Sequence, residues 1–389
     1  MYLLNTTTLQ LEEFIADPPS YAILSHTWED EEVLFKDIHD LDKASLKKGF
    51  NKVQRCCQLA KSEGYQYAWV DTCCIDKSSS AELSEAINSM FTYYMKSDVC
   101  YVYLDKDFPN VVSNGLSANE IQSTRWVTRG WTLQELIAPT DVCFYDMRWR
   151  FCGTRDDLLQ PLTDATKVDM QELDEAMSRH ESRRNAMREF SIAQRMSWVS
   201  RRQTTRPEDI AYCLFGLFDI HMPPLYGEGA EKAFLRLQEE IIKKSTDLSI
   251  LSFNPNTPPD GALASSPALF SPCQNIRRSR FTAVAPFKLT SGGLRVKLPL
   301  IQSGESKDAW RTCIAILPNC VYSENDSTAA NFKVDNIMGI SLYSYTMNPD
   351  IWYRHHDQWK VDHDGTFVPN ILVARSELQN ATLHKIYIR

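Results

Sequence analysis

The stretch YAILSHTWEDEEVLF, residues 21–35, changes character within a few residues. Tyr21–Leu24 is a short apolar run with β character; Ser25, His26, Thr27 and Trp28 follow at once with a hydroxyl, an imidazole, a second hydroxyl and an indole. In a parallel α/β sheet, ligands collect beyond the carboxyl ends of the strands. A strand that runs out into four such groups marks where a pocket of that fold would be built. Polar residues also end strands simply because loops run through water, so the neighbouring strand ends decide what the pattern is worth.

Working outward, short β-type runs alternate with helical patterns between residues 20 and 146. The strands are predicted at Tyr21–Ser25, Tyr65–Asp71, Asp98–Leu104 and Val142–Asp146, and their ends carry Ser25, His26, Asp71, Asp105 and Asp146. Leu46–Glu63 puts Phe50, Val53, Cys57 and Ala60 on one helical face and stops at Gly64, a natural C-cap. Leu83, Ala86, Ile87, Met90, Phe91 and Tyr94 repeat at helical spacing, and Ser79 followed by Glu82 has the spacing of a capping box. Trp126–Ile137 reads as a third helix, closed by Pro139. Strands separated by helices imply a parallel sheet with helices on its faces.

From 155 to 190 an acidic block (164–175) precedes a basic one (179–188), which reads as an exposed helical connector. Helices follow at Ser191–Ser200, Pro207–Phe218 and Gly229–Lys244. Beyond about Asp247 prolines and short β-type runs take over: Leu294–Leu300, Arg311–Leu317, Met338–Tyr345, Ile371–Ala374 and Lys385–Ile388. The expected organisation is an α/β domain over 15–150, a helical segment over 151–246 and a β-rich region over 247–389.

Composition narrows the function. With 389 residues, a net charge of −8 and a pI near 5.6, broad attraction to nucleic acid or an anionic membrane is not expected. No apolar run approaches the roughly 20 residues that span a bilayer, and the N-terminus lacks a secretory pattern; a cytoplasmic location follows as the expectation. The 14 glycines form neither G-x-G-x-x-G nor a phosphate loop, so any nucleotide must be held by side chains. The eight histidines fall at no metal-ligand spacing, and no metal or cofactor is expected. The eleven cysteines include the doublets Cys56-Cys57 and Cys73-Cys74, whose side chains diverge in any regular element. They read as reduced, buried thiols. Cys73 or Cys74 as a nucleophile with His26 as base is the alternative, and nothing marks either thiol as activated.

In STRWVTRGWTLQELIAP, residues 123–139, a helix beginning near Thr128 puts Trp131 and Glu135 four apart on one face with Arg129 close by. Trp131 can be a core anchor and Glu135 a solvated carboxylate; equally, the pair can bind a flat cationic ring and its attached sugar.

Three blocks, YAILSHTWEDEEVLFKDI, YAWVDTCCIDKSSSAELSEAINSMFTYYMKSDVCYVYL and RWVTRGWTLQELIAP, together resemble the fungal heterokaryon-incompatibility (HET) domain, in order and at family spacing, over about residues 15–150. The segment from IAQRMSWVSRRQTTRPEDIAYCLFGLF to LQEEII resembles the region that follows this domain in many family members. The resemblance implies a part in non-self recognition, with cell death triggered when incompatible fungal cells fuse. It also implies a TIR-like, flavodoxin-like parallel sheet. Through W-x-x-x-E-L, Trp131 to Leu136, it carries the TIR catalytic glutamate onto Glu135, and less specifically the motif tryptophan onto Trp131, and makes NAD the expected substrate. Joined to the strand-end and helix-face reading above, this makes Ser25, His26, Trp28, Asp71, Arg129 and Trp131 the expected lining of the site. The alternative from another class is a non-catalytic TIR-like signalling module that kills by assembling with protein partners or with itself. Some family members add a nucleotide-binding module and a repeat sensor; this sequence contains neither motif, which leaves the trigger open.

Overall fold

The computed structural model describes residues 1–111, 115–254, 261–279, 286–305, 310–323, 336–345, 351–354, 359–361, 367–369, 372–374 and 381–388. The chain forms two compact units, the first of residues 1–184 and 202–225, the second of residues 185–201 and 226–389. Part of the helical segment, residues 202–225, thus folds with the N-terminal sheet.

In the first unit the described strands form a seven-stranded sheet in the order β2-β1-β4-β3-β5-β6-β7. They are β1 (Tyr2–Asn5), β2 (Leu11–Glu13), β3 (Tyr21–His26), β4 (Tyr67–Trp69), β5 (Val99–Tyr103), β6 (Val142–Tyr145) and β7 (Phe151–Thr154). β3 pairs in parallel with β4 and β5, and β5 with β6. β1 joins β4 antiparallel, β2 joins β1 antiparallel, and β7 joins β6 antiparallel. The all-parallel expectation is therefore corrected: the sheet is mixed, with a parallel centre and antiparallel edges. Every residue of β3, β4 and β5 is buried, as strands covered on both faces by helices require.

The chain leaves β3, turns one way to β4, then crosses back over β3 to β5. The carboxyl end of β3 is thus where the connections diverge, the place at which open α/β sheets leave a crevice. Ser25 and His26 end β3 at that point, and Asp71 follows two residues after β4.

Two helices cover this centre. The helix Phe50–Ser62 starts after Gly49, later than the sequence pattern suggested, and leaves Leu46 exposed. The helix Ser80–Lys96 begins as the capping spacing predicted, with Ser79 Oγ accepting from Glu82 N at 3.3 Å. Glu82 does not reciprocate onto Ser79; its carboxylate accepts from Asp76 N at 2.8 Å and so pins the loop before the helix.

The expected helix over Trp126–Ile137 is two short ones, Arg125–Thr128 and Thr132–Ile137. Arg129 between them is extended and bridges Gln203. Gly130 N donates to Gln203 O at 2.8 Å, and Gln203 N to Thr128 O at 2.7 Å. A Cβ at Gly130 would stand 2.7 Å from Thr204 Cγ2 and 3.1 Å from Cys213 Sγ, so the approach of the 202–225 segment requires glycine there. The stretch 155–190 is not a fully exposed connector: Leu162, Val168, Met170, Leu173 and Ala176 are buried, giving its helices Leu159–Thr166 and Met170–Ser178 a core-facing side.

In the second unit, the helix Ala230–Lys244 buries Ala233, Phe234, Leu237, Ile241 and Ile242 at helical spacing. A largely antiparallel sheet follows, centred on β8 (Gly293–Glu305), β9 (Trp310–Tyr322) and β10 (Asn336–Tyr345). The β-rich C-terminal expectation holds. The predicted residue Ile371 lies outside the described residues, and a short strand covers Leu372–Ala374.

Candidate functional site

The carboxyl ends of β3 and β4 and the helix Thr132–Ile137 bring two carboxyl groups together in contrasting surroundings. Glu135 is 8% exposed, on a helix whose residues are all buried. Its Oε2 lies 2.5 Å from Ser25 Oγ. Trp126 Nε1, which can only donate, gives its hydrogen to the same Ser25 oxygen at 2.7 Å. The serine hydroxyl therefore has its own proton free to donate to Glu135. Burial pushes the Glu135 carboxyl up to about 8; the nearby charge of Asp71 adds to the rise, while Ser25, Arg129 and Tyr94 oppose it.

Tyr94 donates to Leu24 O at 3.0 Å and also lies against Glu135. Its single proton serves one acceptor at a time. A neutral Glu135 leaves that proton on Leu24 O; an ionised one competes for it. The surroundings of Glu135 thus fit a carboxyl that holds a proton near neutrality and releases it when a cation arrives.

Asp71 is the opposite case. Its Oδ1 faces His26 Nε2 at 3.0 Å and its Oδ2 accepts from Trp28 Nε1 at 2.8 Å. Lys77 Nζ stands 3.7 Å away. Burial alone would raise the Asp71 carboxyl, but Lys77, His26 and Trp28 outweigh it and hold the group well below the usual carboxylate range. One carboxyl is kept neutral and its neighbour ionised, the divergence that separates acid and base roles in active sites.

Behind His26 stands a buried lysine. Lys52 Nζ contacts His26 Nδ1 at 3.2 Å, Thr27 O at 3.3 Å and Glu32 Oε1. An ammonium only donates, so Nδ1 accepts and the imidazole hydrogen sits on Nε2, aimed at Asp71. The order Glu32, Lys52, His26, Asp71 fixes both the ring and its tautomer.

Of the residues singled out from sequence, the structure brings Ser25, His26, Trp28, Asp71 and Glu135 to one end of the sheet. Arg129 is half-buried and near enough for its charge to favour ionised Glu135. Trp131 is directed elsewhere: its indole N–H goes to Asp209 Oδ2 at 3.2 Å. Asp105 and Asp146 tie loops, the first through Arg125 and the second through Arg148, Arg150 and Phe108. Cys73 and Cys74 are free and buried, and burial raises the Cys73 thiol. Trp126, Tyr94, Lys77, Lys52 and Glu32 belong to the site and were missed. Trp126, Tyr94, Lys77 and Glu32 sit inside the quoted motifs. Lys52 is buried but lies off the stripe of Phe50, Val53, Cys57 and Ala60, so its helix gave no local signal for it.

Among the described residues no group of three or more His, Cys, Asp or Glu side chains could hold a metal ion, and no helix is long and apolar enough to cross a membrane. Residues 21–118 match the family model described as heterokaryon incompatibility protein (HET). That match spans β3, β4 and β5 and stops before Trp126 and Glu135. The vegetative incompatibility protein HET-E-1 of Podospora anserina is 46% identical over 230 residues, which is 58% of this chain and 16% of that protein. The chain therefore spans about a sixth of the length of this relative. No solved structure matches it at a significant level.

Proposed function

We propose that this chain is a cell-death effector of vegetative incompatibility whose N-terminal unit hydrolyses the nicotinamide–ribose bond of NAD, with Glu135 as the catalytic carboxylate. The matches to the HET family model and to an incompatibility protein support the biological role. The observation that carries the chemistry is the buried Glu135 carboxyl on Ser25, close to an ionised Asp71, where the strand connections diverge. The likeness of W-x-x-x-E-L to the TIR helix points to the same residue.

The nicotinamide ring of NAD is bound to ribose through its cationic nitrogen, so the leaving group needs no protonation. The C1′–N bond breaks with its electron pair moving to the ring, which departs neutral, and positive charge develops on the ribose as in glycoside hydrolysis. That charge favours the ionised form of Glu135. The anion then stabilises the oxocarbenium ion and takes a proton from the water that adds to C1′. The products are nicotinamide, ADP-ribose and a proton. Ser25, fixed by Trp126, orients the carboxylate throughout.

The 8% exposure of Glu135 also supports a second reading, in which the carboxyl is a structural group and the domain kills by assembling with partner proteins. Purified full-length chain incubated with NAD separates the two. Glu135→Gln keeps the size of the side chain and loses its charge, and losing one such interaction costs roughly a hundred- to a thousand-fold in rate. Nicotinamide release by the parent and not by the variant supports hydrolysis; a folded parent that releases none, or a variant as active as the parent, overturns it.

A further inference from the structure

The side chain of Lys77 occupies an unusual place. Its Nζ lies 3.6 Å from the centroid of the Trp28 ring and 3.7 Å from Asp71 Oδ2. The nitrogen is screened from solvent and makes no hydrogen bond, although the side chain as a whole is 30% exposed. A lysine ammonium is a strongly hydrated point charge, and stripping it of water without a hydrogen-bond partner is costly. What offsets that cost is an aromatic face and a carboxylate, the two elements of a cation site.

Asp71 narrows the kind of cation that suits this site. Each of its oxygens already accepts a hydrogen, Oδ1 from His26 and Oδ2 from Trp28. The subsite thus offers charge and a flat π surface, with its acceptors committed. A ring cation whose nitrogen bears no hydrogen fits better than a primary ammonium or a guanidinium, which bring donors to be satisfied. The loop carrying Lys77 is held at Asp76 by Glu82 and Ser78, while the flexible four-carbon stem of Lys77 allows its head to leave.

We propose that Trp28 and Asp71 form a subsite for a flat N-alkylpyridinium cation, and that Lys77 is its internal occupant, displaced when the ligand binds. This rests on the reading of the site as one for NAD, whose nicotinamide ring is such a cation, but it is tested without turnover. The Lys77 head acts as a built-in competitor that sets how readily the ring is admitted.

The probe is the N-methylnicotinamide cation, measured by equilibrium dialysis on the full chain, with neutral nicotinamide as control. Lys77→Met keeps the length of the stem and removes the charge, and should bind the probe roughly tenfold more tightly than the parent. Lys77→Arg should bind like the parent, and neutral nicotinamide should gain nothing from either change. Equal probe affinity in Lys77→Met and parent overturns the proposal, as does an equal gain for neutral nicotinamide. Should Lys77→Met fail to fold by thermal melting, acylation of Lys77 in the parent decides: the probe should raise its labelling rate several-fold, and an unchanged rate overturns the idea. Tight probe binding by a chain that leaves NAD intact would retain the subsite and remove the hydrolase reading. NAD hydrolysis with no displacement of Lys77 would do the reverse.

Discussion

Ser25 and Glu135 stand 110 residues apart in sequence and 2.5 Å apart in the fold. Trp126 supplies a hydrogen to the Ser25 oxygen, and Ser25 donates its own proton onward to Glu135. The carboxyl is anchored by its neighbours, yet its charge is opposed by burial. Those two facts set its contribution to stability.

With a folded-state value of about 8 against an ordinary 4.5, native Glu135 keeps a proton that the unfolded chain has released. Stability from this group is complete below the lower value and is lost as pH rises toward the upper one, by roughly 1.4 kcal/mol per pH unit. Glu135→Gln does not titrate. Urea unfolding from pH 5.5 to 7.5 should show the variant gaining on the parent by roughly 2–3 kcal/mol; a constant difference would mean that Glu135 is already ionised in the folded chain.

The Lys52–Glu32 pair should be strongly coupled. Both residues are buried, at 4% and 6% exposure, and Lys52→Met would leave the Glu32 carboxylate without its cation. Breaking such a pair typically costs about 3–5 kcal/mol, whereas replacing both partners by apolar groups costs far less. The double variant Lys52→Met/Glu32→Leu should therefore be more stable than Lys52→Met alone by denaturant titration. Strict additivity of the two single changes would refute the coupling.

Cys73 lies fully buried near the strand-end carboxylates, and its thiol is raised by burial, then by Cys74. Cys73→Ala should cost on the order of 1–2 kcal/mol. In the parent, labelling of this thiol by a disulfide reagent should proceed no faster than local opening. Rapid labelling of the native chain, or loss of the proposed killing activity in a folded Cys73→Ser variant, would restore the thiol-nucleophile alternative.

How far the sequence disclosed this structure depended on the range of the forces involved. The buried central strands Val99–Tyr103 and Val142–Tyr145, and the helix Ser80–Lys96 with its Ser79 cap, announce themselves because apolar period and capping are local. β1, β2 and β7 do not: three or four residues such as LEE or FCGT carry no period, and their pairing comes from neighbours distant in the chain. Placing Ser25, His26, Asp71 and Glu135 at strand and helix ends was possible because such ends are readable. The burial of Lys52, and the turning of Trp131 toward Asp209, are tertiary outcomes in which a long side chain finds a partner that no local pattern names. The break at Arg129–Gly130 belongs with these, since it exists to admit Gln203 and Thr204.

That break yields the sharpest test of how Glu135 is positioned. Gly130 precedes the helix Thr132–Ile137, and any side chain there would meet the Thr204 methyl at 2.7 Å and the Cys213 sulfur at 3.1 Å. Thr204 cannot easily turn away, since its hydroxyl donates to Arg206 O at 2.7 Å. Gly130→Ala should therefore push the 202–225 segment off the helix start, at a cost of about 1–3 kcal/mol, and shift Glu135 relative to Ser25. The NAD hydrolysis proposed for this site should fall with it, because small misplacements of a catalytic group are expensive. Thr204→Ser removes the obstructing methyl and keeps the hydroxyl. The double variant Gly130→Ala/Thr204→Ser should regain most of the lost melting temperature and activity, short of full recovery because the sulfur remains. If the second change restores nothing, the glycine is needed for its own backbone freedom and not for the approach of Thr204.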